Sequence, residues 1–107
     1  MKPVMIYVTT SNEAEAKEIA RTLLVARLIA AANIIPGAAS LYHWRGVIKE
    51  TAECVMLAKT RGELADAAVK QIEDMHSYEC PGILVVPVTS ASEPYLNWIA
   101  AETGDLK

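Results

Sequence analysis

The 107-residue sequence contains no phenylalanine, and aromatic residues make up only 6% of it. Apolar residues nevertheless reach 52%, so the core must be built from aliphatic side chains and alanine. A chain of this length buries roughly 65% of the surface that its unfolded form exposes, which leaves a small interior for so many apolar residues. The length predicts one domain over residues 1–107, and the composition predicts an additional buried surface between subunits.

The sequence also lacks a basic block and a long hydrophobic run. The net charge is −3, whereas nucleic-acid-binding domains carry a basic stripe, so we expect no nucleic-acid partner. The apolar run at residues 28–35 is far shorter than the ~20 residues of a membrane-spanning helix, so we expect no membrane association. The N terminus shows no signal-peptide core, and Cys54 and Cys80 form neither a C-x-x-C pair nor a disulfide framework. Together these features predict a cytoplasmic protein with two free thiols.

Signatures of nucleotide-dependent and hydrolytic enzymes are missing as well. The sequence contains no G-x-x-x-x-G-K-[ST], G-x-G-x-x-G or H-E-x-x-H motif, and it has no G-x-S-x-G elbow. We therefore expect a protein that is not an enzyme.

Hydrophobic periodicity predicts the order strand, helix, strand, strand, helix, strand, followed by an extra C-terminal helix. The first strand covers residues 3–10, and Ser11 or Asn12 can cap the helix that follows. Thr60 and Glu63 fit a capping box at the start of the second helix, which should end near His76. The fourth strand covers residues 83–89 with Pro87 at an edge or bulge, and Glu93-Pro94 begins the last helix. This order predicts an α+β, ferredoxin-like antiparallel sheet with both main helices on one face.

The second and third strands form an unusually long hairpin. Pro36 should bend the second strand, Arg45-Gly46 is a plausible turn, and the third strand extends from Val47 to Lys59. Thirteen residues at ~3.3 Å each reach roughly 43 Å, which exceeds the mid-thirties of ångströms expected for the domain diameter. The hairpin is therefore expected to project and to be covered by another subunit. Its aromatic residues, Tyr42 and Trp44, are candidate interface residues.

A polar cluster at residues 76–80 is the strongest candidate site. His76, Glu79 and Cys80 supply an imidazole, a carboxylate and a thiol, which suit copper or zinc. The same groups could perform acid–base chemistry, or the segment could be only a polar connector at a helix C terminus. Lys59, at the end of its strand, could hold a carboxylate or be solvated.

Six segments carry a resemblance to a known family: VTTSNE (8–13), AAANIIPG (30–37), SLYHWRG (40–46), Glu53 with LAKT (57–60), HSYECP (76–81) and Pro87 with YLNW (95–98). In this order and spacing they resemble the CutA divalent-ion tolerance proteins. The resemblance implies a tight homotrimer in which the hairpins bridge neighbouring subunits, with a cleft between subunits that involves His76, Tyr78, Glu79, Lys59 and Trp44. It implies tolerance of divalent cations and binding of a cation such as copper.

One departure from the family bears on the metal. Ala31 stands where the family commonly has cysteine, and Cys80, beside Glu79, is the thiol that could replace it. The fold kinship of the family with PII signal proteins supplies an alternative function: a PII-like trimeric sensor of a small anionic metabolite held between subunits.

Overall fold

The computed structural model describes residues 1–104, which form a four-stranded antiparallel sheet with three helices. The strands are arranged in the order β2-β3-β1-β4, and each neighbouring pair is antiparallel. This arrangement confirms the predicted ferredoxin-like fold. The elements are β1 (Pro3–Thr10), α1 (Glu13–Val25), β2 (Ala31–Trp44), β3 (Val47–Arg61), α2 (Ala65–Met75), β4 (Ile83–Pro87) and α3 (Glu93–Glu102).

Alternation of side chains along the two central strands creates the core. Ile6 and Val8 on β1 lie opposite Ala58 and Met56 on β3, and all four are fully buried. Because side chains two positions apart share a face, these residues form one apolar surface, against which α1 and α2 pack. The helices contribute Ile19, Ala20, Leu23, Ala68 and Ile72 to the same core.

The opposite face of the sheet is also apolar, but it is only partly covered. Tyr7 lies opposite Leu57 on one side and Leu84 on the other, and Leu84 is 61% exposed. At the far end of β3, Arg61 Nη2 donates a hydrogen bond to the Thr103 carbonyl of the segment that follows α3 (3.0 Å). We call the apolar face around Tyr7 and Leu84 the open face. Among residues 1–104, no helix is long and apolar enough to cross a membrane.

The long hairpin gives the molecule its shape. The described chain measures 49 × 25 × 22 Å, as expected if the hairpin extends beyond the body of the domain. Arg45 and Gly46 both have positive φ (51° and 82°) and connect the paired residues Trp44 and Val47. Two consecutive left-handed residues are typical of the type I′ turn, whose twist suits a hairpin. The predicted turn is therefore confirmed.

A β-bulge interrupts β2 where a bend was predicted. Ile35 pairs with Val55, but the next paired residue, Ala38, lies opposite Glu53, so β2 contains one extra residue at this point. Gly37 has φ +80°, a conformation that costs glycine little. Because of the extra residue, the odd-numbered side chains of β2 lie on the open face before the bulge, and the even-numbered side chains lie on it after the bulge.

The predicted helix caps had different outcomes. Asn12 caps α1, since its Oδ1 accepts a hydrogen bond from the Glu15 amide (2.8 Å). The capping box of Thr60 and Glu63 is wrong. β3 continues through Thr60 to Arg61, and Thr60 Oγ1 donates to the Leu28 carbonyl (2.8 Å). α2 begins only at Ala65, after a short 3₁₀ turn, without a side-chain cap.

The fourth strand is shorter than predicted. β4 ends at Pro87, and not at residue 89. The strand lies at the edge of the sheet, so the predicted edge position of Pro87 is confirmed, and its missing N–H disrupts no central pairing.

We expect Thr60→Val to lower the free energy of unfolding by about 1 kcal/mol, because it leaves the partly buried Leu28 carbonyl without its donor. The matched control is Glu63→Ala, which should change stability by less than about 0.5 kcal/mol because Glu63 is exposed and forms no cap. Urea denaturation followed by circular dichroism measures both. If Glu63→Ala lowers the free energy of unfolding more than Thr60→Val does, the result would support the capping box.

Candidate functional site

A groove of about 880 Å³ lies between the hairpin and the segment that joins α2 to β4. It brings together most of the residues that the sequence analysis singled out, including Tyr42, Trp44, Tyr78, Glu79 and Cys80. The lining also includes Tyr7, Thr9, Lys49, Glu53 and Ser77. The groove opens on the same side of the sheet as the open face, because Glu53 has the same strand parity as Val55 and Leu57.

His76 holds one wall of this groove, the 76–82 segment, in place. Its side chain is fully buried, and Nδ1 accepts a hydrogen bond from the Tyr78 amide (3.0 Å). Nε2 therefore carries the ring proton and donates to the Thr9 carbonyl (2.8 Å). With both nitrogens engaged, the imidazole attaches the 76–82 segment to β1.

Glu15, in the first turn of α1, is a second anchor that sequence reasoning missed. Its Oε1 accepts hydrogen bonds from the Ser11 amide (3.1 Å) and hydroxyl (2.8 Å), and its Oε2 accepts one from the Ser77 amide (2.8 Å). Burial alone would raise the pKa of Glu15, but the hydrogen bonds from Ser77 and Ser11 outweigh it and lower the pKa from 4.5 to about 2. An acidic residue near a capping residue was the visible signal, but its contact with Ser77, 62 residues away, was not readable from local sequence.

A buried carboxylate lies within the groove. Tyr78 Oη donates to Glu53 Oε2 at 2.6 Å, and Glu53 is only 8% exposed. Burial and the hydrogen bond to the Glu53 carboxylate raise the pKa of the Tyr78 phenol, so the phenol stays protonated and remains a donor. Sequence reasoning noted Glu53 only as part of a motif and did not assign it to the site.

The tip of the hairpin contacts the same segment at the rim of the groove. Arg45 Nη2 lies 3.0 Å from Glu79 Oε2, and the Arg45 guanidinium lies over the Trp44 ring, 5.3 Å from its centroid. Both partners of the ion pair are 70% exposed, so the pair contributes little stability. Cys80 is exposed nearby as a free thiol.

The three predicted metal ligands do not converge within one subunit. His76 points toward β1, while Glu79 points toward Arg45. Among residues 1–104, no group of three or more His, Cys, Asp or Glu side chains is arranged to hold a metal ion. Metal binding by His76, Glu79 and Cys80 therefore stays a prediction that requires a change of side-chain positions or donors from another subunit.

Lys59 is separated from the other predicted cleft residues. It pairs with Met5 and Ala31, six residues along β3 from Glu53 and hence roughly 20 Å away. Trp44 and Tyr78 line the groove, whereas Lys59 does not. Lys59 is half-buried, and this burial lowers the pKa of its ammonium group.

The ionised Glu15 should make stability depend on pH. Its pKa is depressed in the folded state, so its contribution is complete above about pH 5 and is lost as the pH falls toward 2. A shift from 4.5 to about 2 corresponds to about 3 kcal/mol. Glu15→Gln should therefore remove up to that amount of the acid-induced loss, measured by denaturant unfolding at pH 7, 4 and 2.

Glu18→Gln is the matched control for this pH series, because Glu18 is exposed one turn further along the same helix. It should retain the parent's acid-induced loss. If Glu15→Gln loses as much stability between pH 5 and 2 as the parent does, the Ser11 and Ser77 contacts do not stabilise the carboxylate.

Comparison with known proteins gives one consistent result. The family model described as "CutA1 divalent ion tolerance protein" matches residues 4–102. The mouse protein named "Protein CutA" is 40% identical over 93 residues, which are 87% of this chain and 52% of the mouse protein. The "Divalent-cation tolerance protein CutA" of Escherichia coli strain E24377A is 37% identical over 98 residues, 92% of this chain and 88% of that protein. The chain thus spans about half the length of the mouse relative.

Solved structures agree with the sequence matches. The structure described as the periplasmic divalent cation tolerance protein CutA from Archaeoglobus fulgidus superposes with a TM-score of 0.91 at 34% identity. The alignment covers 94% of this chain and 98% of the other.

Proposed function

The chain belongs to the CutA1 divalent ion tolerance family, and on that premise we propose that it acts in tolerance of divalent cations as a non-enzymatic homotrimer that binds the cation. One observation carries this proposal: the groove combines the exposed thiol of Cys80 with the carboxylate of Glu79. Thiolates and carboxylates are donors for divalent cations, and copper and zinc accept thiolate and imidazole donors.

Cys80 and Glu79 are the ligands that require the least rearrangement. Both are exposed, and Glu79 needs only to exchange its weak ion pair with Arg45. His76 joins the site if Nδ1 gives up the Tyr78 amide. Because one subunit offers few free donors, a neighbouring subunit completes the coordination sphere in this proposal.

The contacts of the candidate acid–base residues support a role without catalysis. The enzyme alternative relied on His76 and Glu79. Both ring nitrogens of His76 are engaged with backbone groups, and Glu79 is paired with Arg45. A general base needs a free acceptor near its substrate, so these side chains are better suited to holding the loop.

Sensing of a small anionic metabolite is the second candidate, and Lys59 is the residue that favours it. Burial lowers the pKa of this half-buried ammonium group, and a bound anion would offset the cost of desolvation. Lys59 lies outside the groove, however, so an anion site there would be separate from the metal site.

The apolar open face supports assembly into a homotrimer. Leu84 on β4 and Ile35 on β2 are 61% and 50% exposed, and the projecting hairpin adds Val47, at 54%. Contiguous apolar surface of this kind is normally covered in an assembly. The number of subunits follows the family resemblance. A cytoplasmic location, which suits the two free cysteines, is part of the same proposal.

Light scattering at micromolar concentration should give three times the chain mass of 11.6 kDa. Trp44→Asp should weaken assembly by several kcal/mol, because it places an unpaired charge in the contact. Val25→Asp is the control, since Val25 is 86% exposed on α1 and should leave the mass unchanged. The unfolding midpoint should also rise with protein concentration. A monomer mass for the parent would refute the trimer, and an unaffected Trp44→Asp trimer would place Trp44 outside the contact.

Calorimetric titration tests the cation, with zinc(II) used beside copper(II) because zinc does not oxidise thiols. We expect weak binding to the parent, and at least tenfold weaker binding to Cys80→Ser and to His76→Ala. Glu73→Ala is the control for loss of a ligand-type side chain, because Glu73 is exposed on α2 and does not line the groove. Equal affinity in all variants would remove Cys80 and His76 from the site. No binding of either ion by the parent would leave the anionic-metabolite function as the better explanation.

A further inference from the structure

The carboxylate of Glu53 is the feature that the proposed metal site leaves unexplained. Glu53 as a whole residue is only 8% exposed, and it lines the groove. Its one hydrogen bond among the described residues comes from Tyr78 Oη (2.6 Å). Tyr78 binds only Oε2, so Oε1 of Glu53 has no hydrogen-bond partner among the described residues.

No cation of the described chain compensates Glu53. Lys49 lines the same groove, but no ion pair joins it to Glu53 among the described residues. Arg45 is engaged with Glu79 and the Trp44 ring. Among residues 1–104, Glu53 therefore takes part in no ion pair, and its negative charge is available to a ligand.

Aromatic side chains line much of the groove around Glu53, and among residues 1–104 no group of three or more His, Cys, Asp or Glu side chains is arranged to hold a metal ion there. Tyr7, Tyr42, Trp44 and Tyr78 line the same groove, and Tyr42 Oη already accepts a hydrogen bond from Thr51 Oγ1 (3.3 Å). Ca²⁺ takes six to eight oxygen ligands, and structural zinc takes four ligands. A single carboxylate with aromatic walls instead matches the needs of an organic ammonium group, which takes one counter-charge and ring faces.

The rim of the groove shows that its aromatic residues accept a cation. The Arg45 guanidinium lies 5.3 Å from the centroid of the Trp44 ring, within the range of a cation–π contact. The volume of about 880 Å³ is also in the range of small-molecule sites.

We propose that the groove binds a small organic amine, whose ammonium group pairs with the Glu53 carboxylate while its carbon chain lies against the tyrosine rings. Tyr78 holds the carboxylate in position by its hydrogen bond. This inference goes beyond cation tolerance and does not depend on metal binding, which relies on Cys80 and His76.

Three four-carbon probes with a positive, a neutral and a negative head group test the proposal on the full chain in its native assembly: n-butylammonium, n-butanol and butyrate. Titration followed by amide NMR shifts should show saturable butylammonium binding at millimolar concentration. The dissociation constants of butanol and butyrate should be at least tenfold higher. Equal affinities for all three probes, tighter binding of butyrate, or no saturable binding of butylammonium would overturn the proposal. The last outcome includes the case in which a neighbouring subunit neutralises Glu53.

Two variants identify the residue responsible. Glu53→Gln keeps an acceptor for the Tyr78 hydroxyl but removes the charge, and should weaken butylammonium binding at least tenfold. Glu50→Gln is the matched control, because Glu50 is exposed on the other face of β3 and does not line this groove; it should change the affinity less than twofold. Unchanged affinity in Glu53→Gln would overturn the assignment.

Tyr42→Leu provides an independent reading, because it retains the carboxylate and removes one aromatic wall. It should weaken butylammonium binding several-fold and leave butanol binding unchanged, whereas an equal effect on both would contradict a contact between the ring and the cation.

Zinc(II) titration of Glu53→Gln separates this inference from the proposed function. If zinc binding is lost and the parent does not bind butylammonium, Glu53 is a metal ligand and the amine assignment is wrong.

Discussion

The two hydrogen bonds of the His76 imidazole determine where the 76–82 segment lies, and the groove depends on them. One nitrogen binds the Thr9 carbonyl on a central strand, and the other binds the Tyr78 amide in the segment itself. Glu15 adds the Ser77 amide from the other side. Together these contacts bring Tyr78 within hydrogen-bonding distance of Glu53 on the hairpin. A histidine that is attractive as a ligand from sequence thus serves first to position the wall of the groove.

The extent to which the sequence predicted this structure follows from the range of each interaction. The strand at residues 3–10, the Asn12 cap, the turn at Arg45-Gly46 and the edge position of Pro87 were predictable, because each depends on neighbours a few residues away. Thr60 was assigned to a local cap, but a carbonyl 32 residues away competes successfully for its hydroxyl. The sequence pattern around Thr60 does not reveal a hydrogen-bond partner so far away along the chain.

The same difference in range explains the outcome for the candidate site. Tyr78, Glu79, Cys80 and Trp44 were found because they stand in recognisable segments, and the fold brings them to one groove. Glu53 was undervalued because its importance comes from burial and from a tyrosine 25 residues away. Lys59 was grouped with the others through the family resemblance, while strand geometry places it at the opposite end of β3.

The extra residue in β2 lets the two parts of the strand keep separate registers with β3. Up to Ile35 the odd-numbered side chains of β2 lie on the open face, and from Ala38 onwards the even-numbered ones do. Removing one residue at the bulge would leave the same cross-strand partners on both sides of it, so Tyr42 and Trp44 would stay on the groove side and only the local bend would be lost. The bulge is therefore a point at which the length of the strand can change by one residue without altering the chemistry of the groove wall.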